Sequence, residues 1–458
     1  MASPRASEQG FSILELIIAM AIAVEVLLAA GVIFDVHNRM AVVQTQITDM
    51  QQSLRISQYD MVRLLRMAGR GGLPTNFTVN PGPPARLLGA AIEVRNAVSA
   101  SDDSNQVAVG LDEPRAVEGT DILTVRGCIS TPLYQVAGTG VDFQMVTPTT
   151  ATITLSNPSP VGIPQCLRPM AEQLPANGGP GLTGPMILGS PQDRSLVYVG
   201  QITGVGGSSG DPMDCAADAD PSSITINLDL QPNVFSTAAF DPAMGVALVC
   251  QLEEYRYYVR EGEANVGPDS VEIDQPRLSR ARMVPGTELP YANDAANLQL
   301  DIADGIFDLQ VALGFDSDYP ATDNSTRGAF GDDTDNLGTD DTVFEGDAGN
   351  DAARQADDWL YNTPGDRADD VQWRVHQFPG NDVNPVDLLY VRMTLAARTT
   401  RPDPRFEAED VDGNPNDGRD FLEDNDYENP PASAFREGVN RNFRHRVLQT
   451  LVDLRNLG

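Results

Sequence analysis

Asp412, Asn414, Asn416, Asp420 and Glu423 place oxygen ligands at the first, third, fifth, ninth and twelfth positions of a twelve-residue stretch. That is the ligand order of a calcium loop. The glycine expected at position six is Asp417, with Gly418 one residue later, and no helical pattern flanks the stretch. The spacing therefore describes an irregular Ca2+ loop and not an EF-hand, and a solvated acidic loop accounts for the same residues. A second pattern, Gly206-Gly207-Ser208-Ser209-Gly210, formally fits the G-x-S-x-G nucleophile elbow. That elbow needs a strand-to-helix turn, with Asp and His completing the triad. Asp211-Pro212 follows instead, and the chain has only 3 histidines. We read it as a Gly/Ser loop and assign no catalytic residue. The third feature is a lone acid in an apolar setting. Glu15 lies inside the run 11–34, whose only other charge is Glu25. A carboxylate placed there costs roughly 3 kcal/mol on insertion scales, which marks it as a functional residue that needs a partner.

The element that positions Glu15 is a long helix. Its first 24 residues, 11–34, suffice to cross a bilayer, which takes about 20 apolar residues. A secretory signal would have a basic start and a cleavage site after a shorter apolar run. Here the short polar leader ends in Gly10, directly before the apolar segment. That layout predicts a cut before the run, removing residues 1–10 and keeping the helix. Beyond the span, Val36, Met40, Val43, Ile47, Met50, Leu54, Ser57, Met61, Leu64 and Ala68 step by alternating fours and threes. They predict an amphipathic half over 35–68. Gly69-Arg70-Gly71-Gly72 followed by Pro74 stops it.

The 458 residues carry a net charge of -34, and all 31 basic residues are Arg. The acidity is local: residues 316–370 hold 16 acids and 3 Arg, and 403–428 hold 11 acids and 2 Arg. Such a body repels nucleic acid and anionic lipid. Cys128, Cys166, Cys215 and Cys250 all follow the apolar helix, on the side this topology exports. Four cysteines in an oxidising compartment suit two disulfides. Sequential pairing, Cys128 with Cys166 and Cys215 with Cys250, closes the shorter loops and is the expectation. No C-x-x-C or Cys/His cluster suggests zinc.

After Pro74 the pattern turns to short runs of period-two alternation: 122–126, 255–260, 307–315 and 391–397. Apolar residues alternate with polar partners, which predicts antiparallel sheet covered on one face. One long helix followed by such strands is α+β, with an exported β-rich domain over 73–458.

Gly10-Phe11-Ser12-Ile13-Leu14-Glu15 and the apolar helix behind it resemble the N-terminus of type IV prepilins. The strands near 120–127, 255–259, 305–311 and 389–393 and the closing 443–450 look like segments of PilW-type minor pilins. The resemblance implies that a prepilin peptidase cuts after Gly10 and methylates the amine of Phe11. It also implies that Glu15 meets the N-terminal amine of a neighbouring subunit, and that the amphipathic half of the helix packs on the head's sheet. The function implied is a non-enzymatic minor type IV pilin that initiates or caps the pilus, with motility or adhesion downstream. Its partners would be other minor and major pilins, the inner-membrane assembly platform and, as a further candidate, a tip adhesin. Its place would be the bacterial inner membrane, single-pass with the C-terminal domain exported, then the extracellular pilus. A minor pseudopilin of type II secretion shares the same features, and a membrane-anchored calcium-dependent adhesin is the rival from another class.

Overall fold

The computed structural model describes residues 12–73, 91–95, 116–117, 120–129, 134–136, 141–156, 185–190, 197–207, 223–233, 235–236, 239–261, 276–283, 285–286, 299–315, 359–360, 388–400, 421–422, 425–426 and 443–454. It opens with α1 (Ile13–Leu65), 53 residues without a break, about 80 Å long at 1.5 Å per residue. Ser12 caps it. The helix ends in turns over 66–72, in which Gly69 and Gly71 take positive φ. The seam read from the sequence divides along its length. Met50, Leu54, Ser57, Met61 and Leu64 are buried, whereas Val36 and Met40 are exposed and Val43 and Ile47 lie between. Only the last five turns of α1 have a sheet to cover them.

Three sheets follow. The first has β1 (Ile92–Arg95), β2 (Ile122–Gly127), β10 (Glu253–Glu261), β11 (Pro276–Met283) and β12 (Gln299–Asp304), antiparallel and in that spatial order. The second runs β14 (Trp359–Leu360), β13 (Ile306–Phe315), β15 (Leu388–Arg398), β18 (His445–Asp453). The third has seven strands: β3 (Tyr134–Gln135), β9 (Leu248–Gln251), β6 (Pro185–Gly189), β7 (Val197–Gly207), β8 (Ser223–Asp229), β5 (Thr150–Ser156) and β4 (Val141–Thr147). A small hairpin pairs β16 (Phe421–Leu422) with β17 (Asn425–Asp426). Among the described residues, one long helix and antiparallel sheets make the α+β class expected from the alternation.

All strands of the seven-stranded sheet lie in sequence between β2 and β10, which are themselves hydrogen-bonded neighbours. That sheet is therefore an insertion into the first. It carries its own apolar cluster, centred on Ile153, Met186, Tyr198, Ile226, Leu228 and Phe240. The main core lies elsewhere. Met50, Leu54 and Met61 of α1 join Leu123, Val125, Tyr257 and Leu278 of the first sheet and Leu309, Val391, Met393 and Val452 of the second. One helix face is thus covered by two sheets. The sheets meet at Gly305, between β12 and β13, where φ is +80° and a side chain would strike the Arg398 carbonyl oxygen at 2.8 Å. Glycine is required there on both counts.

One expectation needs correction. The central strands are covered on both faces, not one: Thr124 and Arg126 of β2, Glu254 and Arg256 of β10, and Asp308 and Gln310 of β13 are all buried. Their alternation with apolar neighbours reflects two different interiors, one greasy and one ionic.

Candidate assembly helix and its anchorage

The apolar half of α1 is the only helix among the described residues long and apolar enough to cross a membrane, and none of its most apolar stretch is buried. Ile13, Leu16, Ile17, Leu27, Leu28 and Phe34 are each at least half exposed. Burying one such side chain stabilises by roughly 1.5–3 kcal/mol, so this surface gains from an apolar cover, which a membrane could supply. A single span near the N-terminus fits a single-pass anchor.

Glu15 sits in the first turn of that half. Its Oε2 accepts the Ser12 backbone N–H at 3.0 Å, while Ser12 Oγ accepts from the Leu14 N–H at 3.3 Å. The pair forms a capping box. The carboxylate also lies at the positive end of the helix dipole, which lowers the cost of holding it there. Gly10 and Phe11 lie outside the described residues.

The other half of α1 is fixed to the head by polar contacts inside the apolar seam. Arg280 Nη1 on β11 donates to both Asp60 carboxylate oxygens, at 2.9 and 2.8 Å. The Tyr257 hydroxyl on β10 donates to Asp60 Oδ2 at 2.7 Å. Burial, with Asp60 alongside, pushes the Tyr257 hydroxyl well above its ordinary pKa. Gln58 Nε2 donates to Thr450 Oγ1 on β18 at 2.9 Å. One helical turn is thereby tied to both sheets.

On the opposite face of the first sheet lies an ionic cluster that our sequence reading did not single out. Arg126 Nε donates to Glu254 Oε2 at 2.7 Å, and Arg126 Nη2 donates to Glu93 Oε2 at 2.5 Å. Arg256 donates to Glu254 Oε1 through Nε at 2.9 Å and Nη2 at 2.6 Å, and the Gly286 N–H donates to Glu254 Oε2 at 2.8 Å. Burial alone would push the Glu254 carboxyl up. The guanidinium groups of Arg126 and Arg256 outweigh it and hold the group below its ordinary range. All of these side chains are essentially inaccessible. The signal in the sequence was the run of charges inside the β patterns at 252–256 and at Arg126. The bare alternation rule assigned those residues to solvent.

The cysteines pair differently from the expectation. Cys128 is bonded to Cys250, with Cα atoms 5.9 Å apart and a sequence separation of 122. The sequential pairing Cys128–Cys166 and Cys215–Cys250 is therefore wrong. The cause is strand pairing: Gly127 ends β2 opposite Glu253 of β10, and the neighbouring cysteines are brought together with them. Cys166 and Cys215 lie outside the described residues. The bridge closes the neck of the inserted sheet, packed with Leu73, Ile187, Val199 and Leu252. Gly71 of the helix-ending turn lies against it, with φ of +102°, where an added Cβ would meet Cys128 Sγ. The Gly69 N–H donates to the Arg126 carbonyl at 3.0 Å and the Cys128 N–H to the Arg70 carbonyl at 2.8 Å. Helix end, β2 and neck therefore form one joint.

The calcium-loop residues Asp412, Asn414, Asn416, Asp420 and Glu423, and Ser208 of the G-x-S-x-G pattern, lie outside the described residues. Gly206 and Gly207 end strand β7, so a strand does precede that pattern. Among the described residues, no group of three or more His, Cys, Asp or Glu side chains is placed to hold a metal. Compared with protein-family models, curated proteins and solved structures, the chain shows no match in any of the three.

Proposed function

We propose that this chain is a minor type IV pilin: a non-enzymatic subunit whose apolar helix enters a bundle of like helices and whose large β-rich head stays outside. The observation that carries the reading is the division of α1. One unbroken helix has a fully exposed apolar half and a half anchored through Met50, Leu54, Asp60 and Met61 to two sheets. That is the form of a subunit that stores its helix in a bilayer before giving it to a filament. A minor rather than a repeating role follows from bulk. A head of nearly 390 residues beyond the helix, with an inserted seven-stranded sheet, would crowd copies of itself along a shaft.

In this reading Gly10 and Phe11 frame the processing site. Glu15 exchanges its contact with the Ser12 N–H for the amine of a neighbouring subunit, an opposite charge met where screening is weak. The minor pseudopilin of type II secretion shares every feature named here.

The test compares wild type and Glu15→Val by intact mass and by presence in sheared filaments. Both should begin at a methylated Phe11, because the substitution makes insertion easier and leaves Gly10 in place. Only wild type should enter filaments. A chain still beginning at residue 1 or 2 refutes the prepilin reading. A Glu15→Val chain that is cleaved and assembled at wild-type level refutes the charge-exchange step alone.

A further inference from the structure

Among the described residues, the inserted sheet ends in β4. Its last strand, β4, pairs on one side with β5, and among the described residues nothing pairs with its other side. At the far end of the same sheet β3 is only two residues long. Open edges are normally blunted by charge, proline or bulges. Val141-Asp142-Phe143-Gln144-Met145 has one charge and no proline, and pairs with β5 in unbroken register. The irregularity comes only after Met145. Among the described residues, the apolar cluster beneath thins toward this strand. Phe143, 6.0 Å from the Phe240 ring, and Met145 are only partly buried, while the innermost strands are fully covered.

We propose that this edge is a self-association surface, and that its occupant is β4 of a second copy of this chain, antiparallel about a two-fold axis at Phe143. The sequence is self-complementary in that register. Phe143 faces Phe143 of the second copy, Val141 pairs with Met145, and Asp142 stands opposite Gln144, whose amide donates to a carboxylate. The same two groups already bond within the strand, Gln144 Nε2 to Asp142 Oδ2 at 2.6 Å. Even spacing about residue 143 keeps the apolar face of one copy continuous with that of the other, because side chains alternate with period two. Like charges opposite each other destabilise strand pairs, and this register sets none opposite. In a chain of net charge -34, an edge with so little charge is a place where two copies can approach. The product is one continuous fourteen-stranded sheet, an isologous contact of the commonest symmetry. This inference stands independently of the pilin reading.

The test is sedimentation of the full-length chain in detergent micelles, for wild type, Gln144→Asp and Gln144→Arg. Gln144 is exposed, so both variants should melt close to wild type. Wild type should dimerise at micromolar concentration. Gln144→Asp sets a carboxylate against Asp142 twice across the axis and should weaken the dimer roughly ten-fold, since each opposed pair costs about 0.2–1 kcal/mol. Gln144→Arg should tighten it by a similar factor. A wild-type chain that stays monomeric at its highest soluble concentration overturns the proposal. So does a dimer whose affinity ignores both substitutions, as one held by the apolar helices would.

Discussion

Replacing Glu254 by Gln removes the carboxylate that two buried guanidinium groups share. Glu254 is 0% exposed, as are Arg126 and Arg256, and it accepts three short bonds from them, at 2.7, 2.9 and 2.6 Å. Breaking a buried ion pair by removing one partner costs about 3–5 kcal/mol. Gln keeps one acceptor oxygen and nearly the same volume, which places the expected loss near the lower end, about 3 kcal/mol. At about 2.1 cal/mol/K per residue, a head of this size loses about 1.2 °C per kcal/mol, so the melting temperature should fall by roughly 4 °C. Circular dichroism during heating of the micelle-bound chain measures it at neutral pH. Arg277→Gln is the control. Arg277 bonds Asp301 and Asp304 while 25% exposed, and such surface pairs contribute about 1 kcal/mol or less. The sign of the pH effect follows from the depressed Glu254 pKa. Its contribution is complete above the ordinary carboxylate range and disappears as pH falls through the folded value, so wild type and variant should converge in acid. Equal losses for Glu254→Gln and Arg277→Gln would refute the view that this cluster is a buried ionic interior.

His445 gives a second pH effect. Burial, with Arg398 nearby, lowers its pKa from 6.5 to about 4, and Nδ1 has no hydrogen-bond partner. The unfolded chain takes the proton first, so stability should be full above pH 6.5 and fall by up to about 3 kcal/mol on the way to pH 4. Denaturant titrations of His445→Gln should lack that slope. Non-reducing peptide mapping should recover a Cys128–Cys250 cross-link, and the Cys128→Ser, Cys250→Ser double variant should lose about 4–5 kcal/mol, the loop entropy of a ring this large.

Local rules went far with this chain where the governing forces were local. The helix read as 11–68 runs Ile13–Leu65, because three-and-four spacing and a glycine stop are decided within a few turns. The alternating strands near 122, 255, 307 and 391 are all present. What failed depended on distant partners. The preference for sequential disulfides rested on loop length, yet each doubling of a loop costs only about 0.6 kcal/mol. Separations of 38 and 122 therefore differ by roughly 1 kcal/mol, far less than the strand pairing that joins β2 to β10. Likewise, nothing in the polar positions Arg126 or Glu254 says whether solvent or a second interior lies opposite. Each is buried only because the other is there. Glu15 was legible as an anomaly, since one carboxylate among apolar residues is conspicuous at any stage. Its contact with the Ser12 N–H required the backbone.

The Cys128–Cys250 bridge also decides how this molecule carries force. Tension applied along α1 enters the first sheet through Asp60, Arg280 and Tyr257 and the stitched turn at Gly69–Gly72. From β2 the shortest covalent route to β10 crosses the bridge, with Cα atoms 5.9 Å apart, and bypasses the chain between. The seven-stranded sheet hangs beside the load and not in it. Pulling cannot lengthen the molecule by unravelling that sheet while the bridge holds. Within it, Ile187 and Val199 pack against the bridge and are tied to the geometry at the neck. Reduction of that bond leaves only the β2–β10 hydrogen bonds in its place, and their rupture would put the whole insertion in series, adding roughly 400 Å of extensible chain at about 3.3–3.6 Å per residue. The covalent link thus backs up a strand pairing that would otherwise stand alone between a stiff tether and a compliant one.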